Sequence, residues 1–112
     1  MSSLQNMSFQ NNNLRGEIPD CISQLTALEI LDLQQNMLSG PIPDSVWDMT
    51  QLKWLALLSN QLTGQLSSGV GNMESLLMLN LAENLLSGPL PAELGSLESI
   101  LYAKMGGNHF YG

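Results

Sequence analysis

A stretch of sixteen residues that recurs every 24 positions constrains this chain more than any other feature. LEILDLQQNMLSGPIP, from Leu28 to Pro43, returns as LKWLALLSNQLTGQLS from Leu52 to Ser67 and as LLMLNLAENLLSGPLP from Leu76 to Pro91. An earlier copy, LQNMSFQNNNLRGEIP, runs from Leu4 to Pro19, and a shorter one, ILYAKMGGNHFYG, from Ile100 to Gly112. Asn12, Asn36, Asn60, Asn84 and Asn108 fall on one column, and Gly16, Gly40, Gly64, Gly88 and Gly112 on another. A fixed period held without a slip implies stacked units in which each coil buries its apolar side against the next, rather than one globular core.

Each unit carries the same internal plan. The L-x-x-L-x-L segment predicts a short strand; in the second unit Leu28, Leu31 and Leu33 point inward and Glu29, Ile30 and Asp32 do not. The asparagine that follows has both amide donors and a carbonyl acceptor, so at a buried turn it can satisfy backbone groups of its own coil and of its neighbour. Aspartate would lose the donors. Leu14, Leu38, Leu62, Leu86 and Phe110 then return to the core, and the glycine two residues later suits a sharp turn or a close backbone approach. Ile18-Pro19, Ile42-Pro43 and Leu90-Pro91 pair a core side chain with a proline that fixes φ, whereas Leu66-Ser67 lacks the proline. Ile22 and Leu25, Val46 and Met49, Val70 and Met73, and Leu94 and Leu97 are spaced for a turn of 3₁₀ helix on the outer side. One domain over 1–112 is expected, with units at 1–24, 25–48, 49–72, 73–96 and a shorter one at 97–112. Neither end carries a polar cap, so the ends are expected to self-associate, and the chain reads as a piece of something longer.

The pattern L-x-x-L-x-L-x-x-N-x-L resembles the leucine-rich repeat, and its continuation, clearest as GPLPAELGSL from Gly88 to Leu97, resembles the plant-type subclass. The resemblance implies a curved right-handed solenoid of α/β-type repeats, with a parallel sheet on the concave face and short helical turns on the convex face. It also implies an extracellular setting, at the plasma membrane or in the cell wall. Such repeats occur in ectodomains of receptor-like kinases and receptor-like proteins and in inhibitors of cell-wall-degrading enzymes, whose partners lie along the concave face or the lateral edge. Ile18 to Cys21, reading I-P-x-C, also resembles receptor-like proteins. The family's paired-cysteine caps, a signal peptide, a transmembrane helix and kinase motifs do not occur here. The last unit departs from the pattern, with Ala103 and Met105 at leucine columns and Gly106-Gly107 before its asparagine.

Chemistry other than binding finds little support. The net charge of −7, with Arg15, Lys53 and Lys104 the only bases, argues against nucleic acid and anionic membranes as partners. The longest apolar run, Trp54 to Leu58, is too short to insert in a bilayer. The one cysteine, Cys21, excludes an internal disulfide and is read as a packed thiol beside Ile22; the one histidine, His109, is read as an exposed turn residue. No catalytic group, metal cluster or cofactor site is expected. The outward strand positions instead stack into columns. Ile30, Trp54, Met78 and Tyr102 form an apolar and aromatic stripe, extended sideways by Leu58, with Asn80 in the adjacent column and Glu29, Asp32, Lys53 and Lys104 as charged rim. The expected partner is a protein, a peptide or a co-receptor; packing along the sheet is the alternative role for the stripe. Trp47 either faces solvent on the convex side or lies flat over the next coil, the reading preferred here. Asn6-Met7-Ser8 is a glycosylation sequon that matters only in the secretory pathway. The leading expectation is an internal fragment of a receptor-like ectodomain. A stand-alone inhibitor or scaffold, for example of a cell-wall hydrolase, and a truncated product without function are the alternatives.

Overall fold

The computed structural model describes residues 4–111, so Gly112, the last member of the glycine column, lies outside the described residues. Each of the first four units forms one coil with two short strands and one 3₁₀ turn, and the last contributes two strands. The inner strands are β1 (Asn6–Ser8), β3 (Ile30–Asp32), β5 (Trp54–Ala56), β7 (Met78–Asn80) and β9 (Tyr102–Lys104). They form one five-stranded parallel sheet in the order β1-β3-β5-β7-β9, with Asn6, Ile30, Trp54, Met78 and Tyr102 in register across it. The repeat therefore fixes register: a 24-residue step along the chain is one step across the sheet. The sheet lines the concave face of the solenoid, and the 3₁₀ turns η1 (Asp20–Gln24), η2 (Asp44–Asp48), η3 (Ser68–Asn72) and η4 (Ala92–Ser96) stack along the convex side.

A second set of strands follows the asparagine column, a feature the expected glycine turn did not include. These are β2 (Arg15–Gly16), β4 (Met37–Pro41), β6 (Gln61–Thr63), β8 (Ser87–Pro89) and β10 (His109–Tyr111). β2-β4-β6 and β8-β10 are parallel, and a bridge between Gln65 and Ser87 links the two sets. Glycine serves these strands through close approach. Gly40 has φ +76, and a Cβ there would lie 2.7 Å from the Glu17 side chain of the preceding coil; Gly88, at φ +81, meets Gln65 in the same way. Both left-handed φ and the missing Cβ are needed.

Leucine columns fill the centre. Leu28, Leu31, Leu52, Leu55, Leu57, Leu62, Leu76, Leu79, Leu81 and Leu86 are fully buried, and Val46, Met49, Val70 and Met73 close the core beneath the 3₁₀ turns. Leu14 and Leu90, read as core positions, are exposed instead, because no outer neighbour covers them among the described residues. Trp47 is only 2% exposed and packs against Gly69, whose added Cβ would come within 3.1 Å of the Trp47 Cβ. Cys21 is exposed beside buried Ile22, which corrects the packed thiol; the 3₁₀ turn directs the isoleucine inward and the cysteine outward.

The asparagines form a ladder that binds each coil to the one before. Asn60 accepts from the Leu38 N–H at 3.0 Å and donates to the carbonyls of Leu33 and Leu57 at 3.0 and 3.1 Å. Asn84 repeats this with Leu62, Leu57 and Leu81, and Asn36 reaches back to Leu14, Phe9 and Leu33. Asn12 donates only to carbonyls of its own coil, Phe9 and Gln10. In the last coil Asn108 makes the full set, to Leu86, Leu81 and Met105. Gly107 takes the left-handed conformation that Asn11, Gln35, Ser59 and Glu83 take in the other coils, so the unit that looked degenerate keeps the turn.

The 3₁₀ turns begin from the same extended backbone in each coil: Pro19, Pro43 and Pro91 have φ of −76°, −64° and −69°. Ser67 holds φ −73° without a pyrrolidine ring, and its hydroxyl accepts from the Gly69 N–H at 3.0 Å. A side-chain cap thus replaces a ring constraint.

Candidate functional site

The outward columns of the inner sheet supply an apolar groove on the concave face. It is lined by Gln34, Trp54, Ala56, Leu77, Met78, Asn80, Leu101 and Tyr102, with Trp54 and Tyr102 on the coils to either side of Met78. The volume is ≈ 430 Å³, within the range of ligand-binding clefts. Strand alternation explains the arrangement: Trp54, Met78 and Tyr102 share a register row, and Ala56, Asn80 and Lys104 occupy the row two residues further on. The small Ala56 between larger neighbours leaves the hollow.

The aromatic flanks are solvent-accessible, Trp54 at 44% and Tyr102 at 46%, while Leu101, at 83%, is held almost wholly in water. Leu101 lies on the last described coil, and contiguous apolar exposure of this kind makes the face a candidate interaction surface. Met78 departs from the expected exposed stripe, being 8% exposed, because a large aromatic stands on the coil to either side of it. Asn80 is also buried: its side-chain oxygen accepts from the Ala82 N–H at 3.1 Å and fixes the strand-to-turn junction. Asp32 does the same for the Gln34 N–H at 3.3 Å in its own coil. These two are turn-forming groups with little freedom to reach a partner.

Other expected site residues do not line the groove. Ile30, half-buried, sits one coil beyond Trp54, and Leu58, half-buried, lies past the end of β5 without joining the lining. Lys53 and Glu29 face each other across adjacent coils, Nζ to Oε1 at 3.7 Å. Lys104 lies with its Nζ 5.9 Å from the centroid of the Tyr102 ring. Leu77, Leu101 and Gln34 line the groove although they were not singled out from the sequence; the signal was the change from Gln5, Glu29 and Lys53 to leucine in one outward column. Asn6 is exposed on β1, where the Ser8 hydroxyl donates to its side-chain oxygen.

A second hollow of ≈ 310 Å³ lies on the open side of the first described coil, between Phe9, Leu14, Ile18 and Ile22. His109 is exposed on β10, a strand rather than a turn. Among the described residues no group of three His, Cys, Asp or Glu side chains is placed to hold a metal ion, and no helix is long and apolar enough to cross a membrane.

The family model described as Leucine rich repeat matches residues 2–62, and a second, described as Leucine Rich Repeat, matches residues 75–97. The chain belongs to the leucine-rich-repeat family. It is similar to the leucine-rich-repeat ectodomain of the plant membrane receptor kinase GASSHO1/SCHENGEN3 from Arabidopsis thaliana, solved in complex with CASPARIAN STRIP INTEGRITY FACTOR 2, with 33% identity and a TM-score of 0.94. PEPR1, solved with AtPEP1, is 36% identical with a TM-score of 0.96, and the ectodomain of the receptor kinase SOBIR1 from Arabidopsis thaliana is 34% identical with a TM-score of 0.92. These alignments cover 97%, 99% and 99% of this chain but 13%, 16% and 61% of those chains. The leucine-rich-repeat chain thus spans less than two thirds of the structures it resembles. No curated protein matches it. Its repeats are of the plant type, and the likeness is to receptor-kinase ectodomains.

Proposed function

We propose that this leucine-rich-repeat chain recognises a protein or peptide through its concave face, as one unit of a plant receptor-like ectodomain on the extracellular side of the membrane. The observation that carries the reading is the groove between Trp54 and Tyr102: apolar, water-exposed and set on a rigid parallel sheet. Aromatic anchors on a fixed backbone bind with little loss of side-chain entropy, which is why such residues dominate binding energy in protein interfaces. Related ectodomains support the choice of partner class. PEPR1 was solved with AtPEP1, and HAESA with the peptide hormone IDA and the co-receptor SERK1. Residues 1–112 form a single repeat domain in this reading, and nothing in it calls for a cofactor.

Trp54 and Tyr102 are the anchors, Leu77 and Leu101 complete the apolar flanks, and Lys53, Glu29 and Lys104 set charge complementarity at the rim. Peptides selected from a random display library on the immobilised chain test it. Trp54→Ala and Tyr102→Ala are each expected to weaken those peptides by about 2 kcal/mol or more. Unchanged affinity in both variants would remove the concave groove from the function.

A further inference from the structure

We infer that the groove takes an internal stretch of extended peptide, in which a large apolar side chain enters between Trp54 and Tyr102 and a neighbouring aspartate or glutamate meets Lys104. The inference rests on the concave-face reading and adds the chemistry of the partner. Charge is its first support. On the outward sheet columns Glu29 and Asp32 balance Lys53 and Lys104, so the net charge of −7 falls on the rest of the chain. Within that neutral face the two lysines differ. Lys53 is already paired with Glu29 at 3.7 Å. Lys104 has no carboxylate within 4.0 Å among the described residues, and its ammonium lies 5.9 Å from the centroid of the Tyr102 ring, one of the residues that line the hollow. An apolar hollow next to an uncompensated cation is complementary to an apolar side chain next to an anion.

The backbone decides between an acidic side chain and a chain terminus. A terminal carboxylate is captured by convergent backbone N–H groups. Here the N–H groups of Leu77, Met78, Leu101 and Tyr102 are all donated to carbonyls of the preceding coil. Lys104 is left as a single point charge, which suits a side-chain carboxylate on a segment passing through.

The test uses the same display selection, with selected sequences synthesised N-acetylated and C-terminally amidated. Peptides that depend on Trp54 and Tyr102, losing about 30-fold on each alanine variant, are expected to carry an acidic residue within two positions of a large apolar one. Replacing that acid by its amide should cost about 2- to 5-fold on the wild type, and nothing on Lys104→Gln. The overall field of the protein favours basic peptides, so an acidic preference has to come from the local site. Trp54-dependent peptides without that preference, with a basic one, or with an acidic preference that survives Lys104→Gln, overturn the inference and leave the concave-face reading standing. A requirement for a free C-terminal carboxylate overturns the assignment to an internal stretch. Selected peptides indifferent to both aromatic substitutions overturn the underlying reading as well.

Discussion

Asn60 holds two coils together with one side chain. Its carbonyl takes the Leu38 N–H, and its amide serves Leu33 in the preceding coil and Leu57 in its own. Replacing it by alanine leaves these buried groups without partners, a cost of about 1–3 kcal/mol for each orphaned group. Asn60→Ala is therefore expected to lower unfolding free energy by about 3 kcal/mol in chemical denaturation, and Asn60→Asp by a similar amount, since aspartate keeps the acceptor and loses both donors. Asn12→Ala, at a site that donates only within its own exposed coil, should cost under about 1 kcal/mol. Equal losses at the two sites would contradict the ladder. A second expectation concerns the turn before each asparagine. Gln35 and Ser59 hold φ +58° and +59°, where a Cβ is strained. Gln35→Gly and Ser59→Gly are each expected to stabilise by up to about 1 kcal/mol, read as a raised denaturation midpoint. The asparagine column was legible from sequence because amide chemistry and a fixed period lead to the same place. The burial of Met78 and Asn80 was not, because it depends on the bulk of the residues stacked on neighbouring coils, which a one-coil pattern does not contain.

Strands and turns follow the repeat with two differences, each with a local cause. Inner strands and 3₁₀ turns fall where apolar spacing places them: alternation sets the first, and three-residue spacing, with a preceding proline at η1, η2 and η4, sets the second. The second set of strands was not legible because a regularly spaced glycine is a turn signal, whereas here its left-handed φ and missing Cβ admit the side chain of the preceding coil while pairing continues. The groove lining was partly legible. Trp54 and Tyr102 stand out by type, but Leu77 and Leu101 occupy a column that is polar in the first three coils. The η3 turn supplies the prediction for this level. Ser67→Ala removes the cap on Gly69 and should cost about 1 kcal/mol, while Ser67→Pro suits φ −73° and should restore most of it. Thermal melts of the two variants check this; an alanine variant as stable as wild type would show that the cap carries no weight.

As a whole molecule the solenoid is a stack in which each coil touches only its neighbours, so stability accumulates by interfaces rather than around one centre. Leu55, fully buried in the middle coil, contributes to interfaces on both sides, and Leu55→Ala is expected to cost about 3–5 kcal/mol. Leu14 sits exposed on the first described coil, and its alanine variant should cost under about 1 kcal/mol. The same stacking suits the proposed placement of the partner on the concave face. Stacking by repeat fixes the backbone and leaves the outward strand columns free to differ, and it is in those columns that Trp54, Leu77, Leu101 and Tyr102 appear. The central claim is that this face, and not the convex turns or the lateral strands, receives the partner. The most direct measurement is backbone amide chemical-shift mapping on titration with a display-selected peptide. The largest changes are expected over Trp54–Ala56, Leu77–Asn80 and Leu101–Lys104, with η1–η4 unmoved. Changes concentrated on η1–η4, or on β2, β4, β6, β8 and β10, would contradict the account.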